Sequence, residues 1–207
     1  MPKDQLKNKA APACNEVIIL DFETTGLSSD YDRVIEVGAL LIKNHKIIDE
    51  FVELMNPGVS LSSFITSLTG ISNTMLKGKP KPERIMPKLI DFIEDRPIIA
   101  HNATFDKRFL MAELSRARLS IKNPFLCTMR LAKKLIPDAT SYKLAEIAKH
   151  VGIRVNAKSS HRAMGDAKVT AKLWKHLHAD VVKRTGICSP SHKHFEDVIS
   201  KGIRIIK

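Results

Sequence analysis

A short apolar run that ends in two acids sets the strongest limit on how this chain can fold. Val17 to Leu20 are consecutive apolar residues, mostly β-branched, and Asp21-Phe22-Glu23-Thr24-Thr25-Gly26 follows directly. A run this short, closed by a glycine, reads as a buried strand. Side chains alternate along a strand, so Asp21 and Glu23 point to the same side, roughly 7 Å apart along the chain. Two carboxylates on a core strand repel each other and lose hydration. Either they stay solvated at the strand end, or a positive charge offsets them, and a divalent metal ion is the natural one.

The rest of the chain supplies a frame for that strand. Val34 to Ile42 is nearly continuous apolar sequence and reads as a central strand; Asn44-His45 is a tight turn and Lys46 to Leu54 a third strand. Short connections between the three imply an antiparallel meander. Short helical turns are expected over 60–78. Helices are expected over 83–94, from Phe105 to Arg118 with Thr104 as cap, after Thr128, after Ser141, and over 162–178. Pro87 falls within the first of these and is tolerated only if regular helix begins just before it. Pro97 to Ala100 and Phe125 to Cys127 read as short strands. Strands first, then strands alternating with helices, give an α/β chain with a mixed sheet covered by helices. Residues 1–14 read as a flexible basic tail, 15–178 as the folded domain, and 179–207 as a C-terminal extension in which His192 and His194 belong to a mobile basic stretch rather than a metal site.

Composition narrows the partner. The net charge is +12 and the sequence pI is about 9.7, which suits a polyanion, nucleic acid before an anionic membrane surface. No apolar run approaches the roughly 20 residues that span a bilayer, and the polar N-terminus has no secretory segment, so a cytoplasmic location is expected. Cys14, Cys127 and Cys188 are widely spaced and form no Cys-x-x-Cys pair, which argues against a zinc knuckle or a disulfide framework. Gly78-Lys79 is not a phosphate loop, because Pro80 stands where Ser or Thr is needed.

Two further stretches carry acids in informative places. In His101-Asn102-Ala103-Thr104-Phe105-Asp106 a strand ends and a helix begins, which is where active-site groups gather in α/β sheets. Asp106 is also explained by the helix dipole alone, and His101 by an ordinary structural hydrogen bond. In His161-Arg162-Ala163-Met164-Gly165-Asp166 the acid heads a stripe with Thr170, Leu173 and Leu177 that faces a core, whereas Lys168, Lys172 and Lys175 face outward. A buried carboxylate must meet a cation or take up a proton. Together Asp21, Glu23, Asp106 and Asp166 could hold two divalent ions about 4 Å apart, the arrangement that clamps both oxygens of a phosphodiester displacement. Mg²⁺ suits such an all-oxygen site, with Mn²⁺ as substitute, and His161 could take the proton from the attacking water.

These three motifs, in this order, resemble those of the DEDDh superfamily of 3′→5′ exonucleases, and most of all the proofreading epsilon subunits of bacterial DNA polymerase III. The resemblance covers about residues 15–178. It implies a ribonuclease H-like fold with a five-stranded mixed sheet flanked by helices, and stepwise release of nucleoside 5′-monophosphates from DNA 3′ ends, mainly single-stranded. It implies Asp21, Glu23, Asp106 and Asp166 as metal ligands and His161 as general base. It also implies Thr24, Thr25, Gly26, Leu68, Thr69 and Asn102 as contacts to the terminal nucleotide, and a DNA polymerase as partner. Unlike the epsilon subunits, the chain carries only about thirty residues after the last strong helix, with no clamp-binding segment, so membership of a replicative complex does not follow. An RNA-trimming exoribonuclease and a non-catalytic nucleic-acid-binding module are the alternatives; the second usually lacks a ligand acid, and all four are present.

Overall fold

A computed structural model describes residues 14–156 and 161–203. The expected N-terminal tail lies outside the described residues except for Cys14, which is buried, with its backbone N–H donating to Pro190. Five strands form one mixed sheet: β1 (Glu16–Thr24), β2 (Val34–Lys43), β3 (Lys46–Leu54), β4 (Ile98–Ala100) and β5 (Phe125–Cys127). Their order across the sheet is β3-β2-β1-β4-β5. β1, β2 and β3 are the expected antiparallel meander, while β4 and β5 run parallel to β1. β2 is interior as expected, but the middle of the sheet is β1, the strand that carries the two acids.

Alternation along β1 decides which layer meets which residue. Ile18, Leu20 and Phe22 pack into a core with α3 (Pro82–Ile93) and α4 (Ala103–Arg116). Val17 and Ile19 pack on the other face against α5 (Thr128–Leu135), α7 (Ala163–Thr185) and α8 (His192–Lys201). Asp21 and Glu23 continue the second series, so the period of 2 aims them at α7. Two short helices, α1 (Ser63–Thr69) and α2 (Asn73–Leu76), cover Ile35 at one end of β2. α6 (Leu144–His150) packs beside α7.

Several boundaries differ from those expected. α3 begins at Pro82, so Pro87 sits inside it; the bond it forgoes is to the carbonyl of Glu83 in the first turn, and the ring is exposed. α4 starts after Asn102, not Thr104, and Asn102 takes a left-handed conformation (φ 63°). α7 runs on to Thr185 instead of stopping near 178, and Phe195, Val198 and Ile199 of α8 enter the same core, so residues up to Ile199 share the domain's packing. His192 and His194 are therefore not in a mobile tail: His194 Nδ1 accepts from the Ser191 N–H at the start of α8, and His192 Nε2 lies 3.3 Å from the Phe125 carbonyl. Among the described residues no helix is long and apolar enough to cross a membrane.

One glycine governs how closely α7 approaches. Gly38 on β2 pairs with Asp21 across the sheet, and a Cβ there would lie 2.5 Å from both the Ala163 carbonyl carbon and the Met164 nitrogen. Gly38→Ala is expected to displace the first turn of α7 and to destabilise the fold by about 1–3 kcal/mol. Thermal unfolding measures it; a melting temperature equal to the parent's would show that the helix can slide at no cost.

Candidate active site

Carboxylate oxygens of Asp21, Glu23 and Asp166 all lie within 4.8 Å of one another. The first two arrive from the end of β1, where the register with β2 shifts between Glu23 and Thr24 and the chain leaves the sheet. The third comes from the first turn of α7, where an acid is favoured by the helix dipole. Asp106 stands next to this group without joining it. It is buried, with Oδ1 accepting from the Phe22 N–H at 3.3 Å, so it is held by the backbone between the two acids of β1. The expected four-acid set is thus a tight triad plus a neighbour.

The charges are poorly compensated. Burial, then repulsion from Asp106, Asp166, Glu23 and Glu36, pushes Asp21 well above the usual carboxylate range. Burial and repulsion from Asp166, Glu36 and Asp106 push Glu23 up to about 8, against a smaller opposing pull from Arg162. Burial pushes Asp106 up to about 7, against the hydrogen bonds from its own and the Phe22 backbone N–H groups. Asp166 is also raised by burial, with the nearby His161 working against it. Such a cluster attracts protons or a cation. Its donors are all oxygens, which fits a hard dication such as Mg²⁺ or Mn²⁺.

His161 sits at the rim. The residue is exposed, it lines a cavity of about 310 Å³ with Lys143, Val155 and Asp166, and its backbone N–H donates to Asp166 Oδ2 at 3.3 Å. Its φ of 57° is left-handed, an unfavourable conformation for a non-glycine residue and one that clusters at functional sites. Residues 157–160, just before it, lie outside the described residues.

The expected nucleotide contacts divide. Thr24 Oγ1 donates to the Gly26 carbonyl, and Thr25 Oγ1 donates to Asp32 Oδ1 while accepting from the Arg33 N–H. Those hydroxyls, with the Thr25 N–H donating to the Arg33 carbonyl, hold the loop after β1 in shape. A Cβ at Gly26 would meet the Asp32 carboxylate at 2.5 Å. Asn102 is exposed and its side chain caps nothing. Leu68 is exposed at the end of α1, but the Thr69 hydroxyl is spent on the Ile65 carbonyl and the Ile71 N–H. No described contact ties Leu68 or Thr69 to the acids. His101 is the structural residue that a plain reading expects, with its ring nitrogens 2.9 Å from Thr128 Oγ1 and 2.8 Å from the Tyr142 carbonyl.

One residue of the site was not singled out from the sequence. Glu36, hidden in the apolar run of β2, is paired across the sheet with Glu23 and is buried. Arg162 Nε donates to Glu36 Oε2 at 3.0 Å, and the Ala163 N–H donates to the same oxygen at 2.9 Å. Glu36 thus caps α7 from another strand and sets where Asp166 lies. The available signal was an acid inside an otherwise apolar interior strand, a position that demands a partner.

The sequence profile of the family RNase_T, described as Exonuclease, matches residues 18–174. The PolC-type DNA polymerase III of Caldanaerobacter subterraneus subsp. tengcongensis is 40% identical over 159 residues, covering 77% of this chain and 11% of that protein. Its counterpart from Clostridium perfringens is 39% identical over 161 residues, covering 78% of this chain and 11% of that protein. The chain therefore spans only 11% of the length of these curated relatives. Among solved structures, Exonuclease X in complex with 5′ overhanging duplex DNA superimposes with a TM-score of 0.69 at 24% identity, over 89% of this chain and 99% of that one. The nuclease domain of 3′hExo, a DEDDh family member bound to rAMP, does so with a TM-score of 0.71 at 20% identity, over 83% and 95%. The fold is that of these ribonuclease H-like exonucleases.

Proposed function

The chain belongs to the exonuclease family RNase_T, and on that premise we propose that it is a metal-dependent 3′→5′ exonuclease that shortens DNA strands in proofreading or repair, releasing nucleoside 5′-monophosphates. The observation that carries the reading is the convergence of Asp21, Glu23 and Asp166 from a strand and a helix far apart in sequence, with oxygens within 4.8 Å of one another. These three, with Asp106 beside them, would hold one or two Mg²⁺ or Mn²⁺ ions, which supply Lewis acidity and charge neutralisation at the scissile phosphate.

The chain's own residues do the rest. The Phe22 N–H keeps Asp106 oriented, and Glu36 with Arg162 anchors the helix that carries Asp166. His161, exposed beside Asp166, accepts the proton of the attacking water. In this reading the Thr24–Gly26 loop and the uncommitted Asn102 side chain position the 3′-terminal nucleotide, with Leu68 and Thr69 as more distant contacts. Single-stranded DNA 3′ ends are the substrate we favour, in line with the strongly basic chain. The PolC-type relatives contain the matching region within a polymerase chain, which supports service to a polymerase and a cytoplasmic location. An RNA-trimming activity is the second reading, favoured by the resemblance in fold to a nuclease bound to rAMP.

Chelator is expected to stop the shortening of a 5′-labelled single-stranded oligonucleotide, and Mg²⁺ or Mn²⁺ to restore it. Products that shorten from the unlabelled end give the polarity, and digestion that persists in chelator rejects the metal. Matched DNA and RNA strands compared by rate decide between the substrates. His161→Ala is expected to lower turnover about 100-fold or more while metal binding persists; parental turnover would remove it as the base.

A further inference from the structure

A second charged cavity lies beyond the β5 edge of the sheet, separate from the carboxylates. It has a volume of about 320 Å³ and is walled by Lys107 and Arg108 of α4, Arg130 of α5, the Phe125 ring and Glu196 of α8. All three cationic side chains are exposed, and among the described residues none of them has an ion-pair partner. Elsewhere Arg33, Arg96, Arg116, Arg162 and Arg184 are each paired with a carboxylate, so what sets this wall apart is three uncommitted cations gathered around one cavity. The one acid of the wall, Glu196, faces His192 at 4.0 Å. Lys107 Nζ stands 5.5 Å from the centre of the Phe125 ring, so an aromatic face adjoins the charges.

Placement relates this cavity to the acids. Ala103 and Thr104 also line it and belong to the same first turn of α4 as Asp106, while Cys127 lies at the carboxyl end of β5. β5 is two strands from β1 in the sheet, about 10 Å away, farther than one nucleotide of an extended single strand reaches.

We propose that Lys107, Arg108 and Arg130 form a backbone-holding site for the single strand under digestion, gripping phosphates more than one nucleotide to the 5′ side of the scissile bond. The inference rests on the exonuclease reading and adds to it a grip on substrate away from the chemistry. Unpaired cations around a cavity fit phosphates, and a neighbouring ring suits an unstacked base, which is how single strands are held without regard to sequence. The grip acts on affinity and leaves the reacting atoms untouched, so it sets KM for long strands and not kcat.

The test is the triple variant Lys107→Gln/Arg108→Gln/Arg130→Gln. In chelator, where no cutting occurs, binding of a labelled 12-nucleotide single strand is followed by fluorescence anisotropy across a salt series. The variant is expected to bind about tenfold or more weakly at low salt, and the slope of log affinity against log salt is expected to flatten by about two, at about 0.7 per lost contact. With Mg²⁺, KM for the 12-nucleotide strand rises while kcat and the turnover of a two-nucleotide strand stay at parental values. A control triple, Lys88→Gln/Lys122→Gln/Lys183→Gln, removes equal charge elsewhere and is expected to bind like the parent. Equal weakening in the control, unchanged binding in the variant, or a loss confined to duplex DNA each overturns the proposal. A parent that degrades neither long nor short strands overturns the exonuclease reading instead.

Discussion

Asp21→Asn is expected to lose turnover by about three orders of magnitude or more while the metal-free protein becomes more stable. The first effect follows from removing a carboxylate at the convergence of β1 and α7, where charge stabilisation of several kcal/mol is at stake and each 1.4 kcal/mol is about tenfold in rate. The second follows from the repulsion within the cluster, since Asp21 is pushed well above the carboxylate range by burial and by four neighbouring acids. Without a cation, each ionised acid there opposes folding, and an uncharged isostere relieves it. The same electrostatics predict a slope with pH. Glu23, at about 8 in the folded chain and about 4.3 in the unfolded one, holds an extra proton when folded between those values. The stability it contributes is present below about pH 4 and is lost as pH rises through about 8. Thermal unfolding in chelator is therefore expected to show the cluster's contribution declining over that window, and saturating Mg²⁺ to offset it. A variant no more stable than the parent in chelator, with turnover intact, would dismiss the strained-cluster account.

Glu113→Ala is expected to destabilise the fold by about 3–5 kcal/mol, a large part of the total for a domain of this size. Its carboxylate is fully buried and serves three partners. Oε1 accepts from Arg33 Nε at 2.8 Å, from the Val34 N–H at 3.1 Å and from Arg116 Nη1 at 3.2 Å; Oε2 accepts from Arg33 Nη2 at 3.0 Å. Arg33 also reaches Glu83 on α3, and Arg116 donates to the Ser29 and Asp30 carbonyls. One carboxylate thereby joins α4 to the start of β2 and to the loop after β1. Truncating it strands two partly buried guanidinium groups and the buried Val34 N–H, which is the costly way to break such a network. Urea unfolding reads the effect. The double variant with Arg33→Ala should lose clearly less than the sum of the singles, because the two share one interaction. A loss below about 1 kcal/mol would mean that water replaces the carboxylate freely.

Much of this was legible because it is local. Alternation in Val17–Glu23 placed both acids on one face, and the Asn44-His45 turn set the β2–β3 hairpin, with both residues at positive φ in the structure. Helical stripes located α4, α5 and the start of α7 to within a few residues. The errors were local rules overridden by packing. Thr104 looked like a cap, but the preceding strand delivers the chain to α4 through a left-handed Asn102. The segment after 178 looked weakly patterned, yet Phe195 and Ile199 pack with Trp174 in the core above β1.

Glu36 and Glu113 show the other kind of gap. Each stands in an apolar context that signals only a need for a partner. The partners, Arg162 and Arg33, lie 126 and 80 residues away in the chain. By itself the sequence determined which acids share a face, where strands and helices run, and which chemistry such acids suit, because those follow from backbone periodicity and side-chain type. Only the tertiary structure decided that Asp166 meets Asp21 and Glu23 while Asp106 stays alongside. That outcome depends on the bare Gly38 admitting α7 and on Glu36 capping it, and a close approach between distant segments is set by packing that no local pattern records.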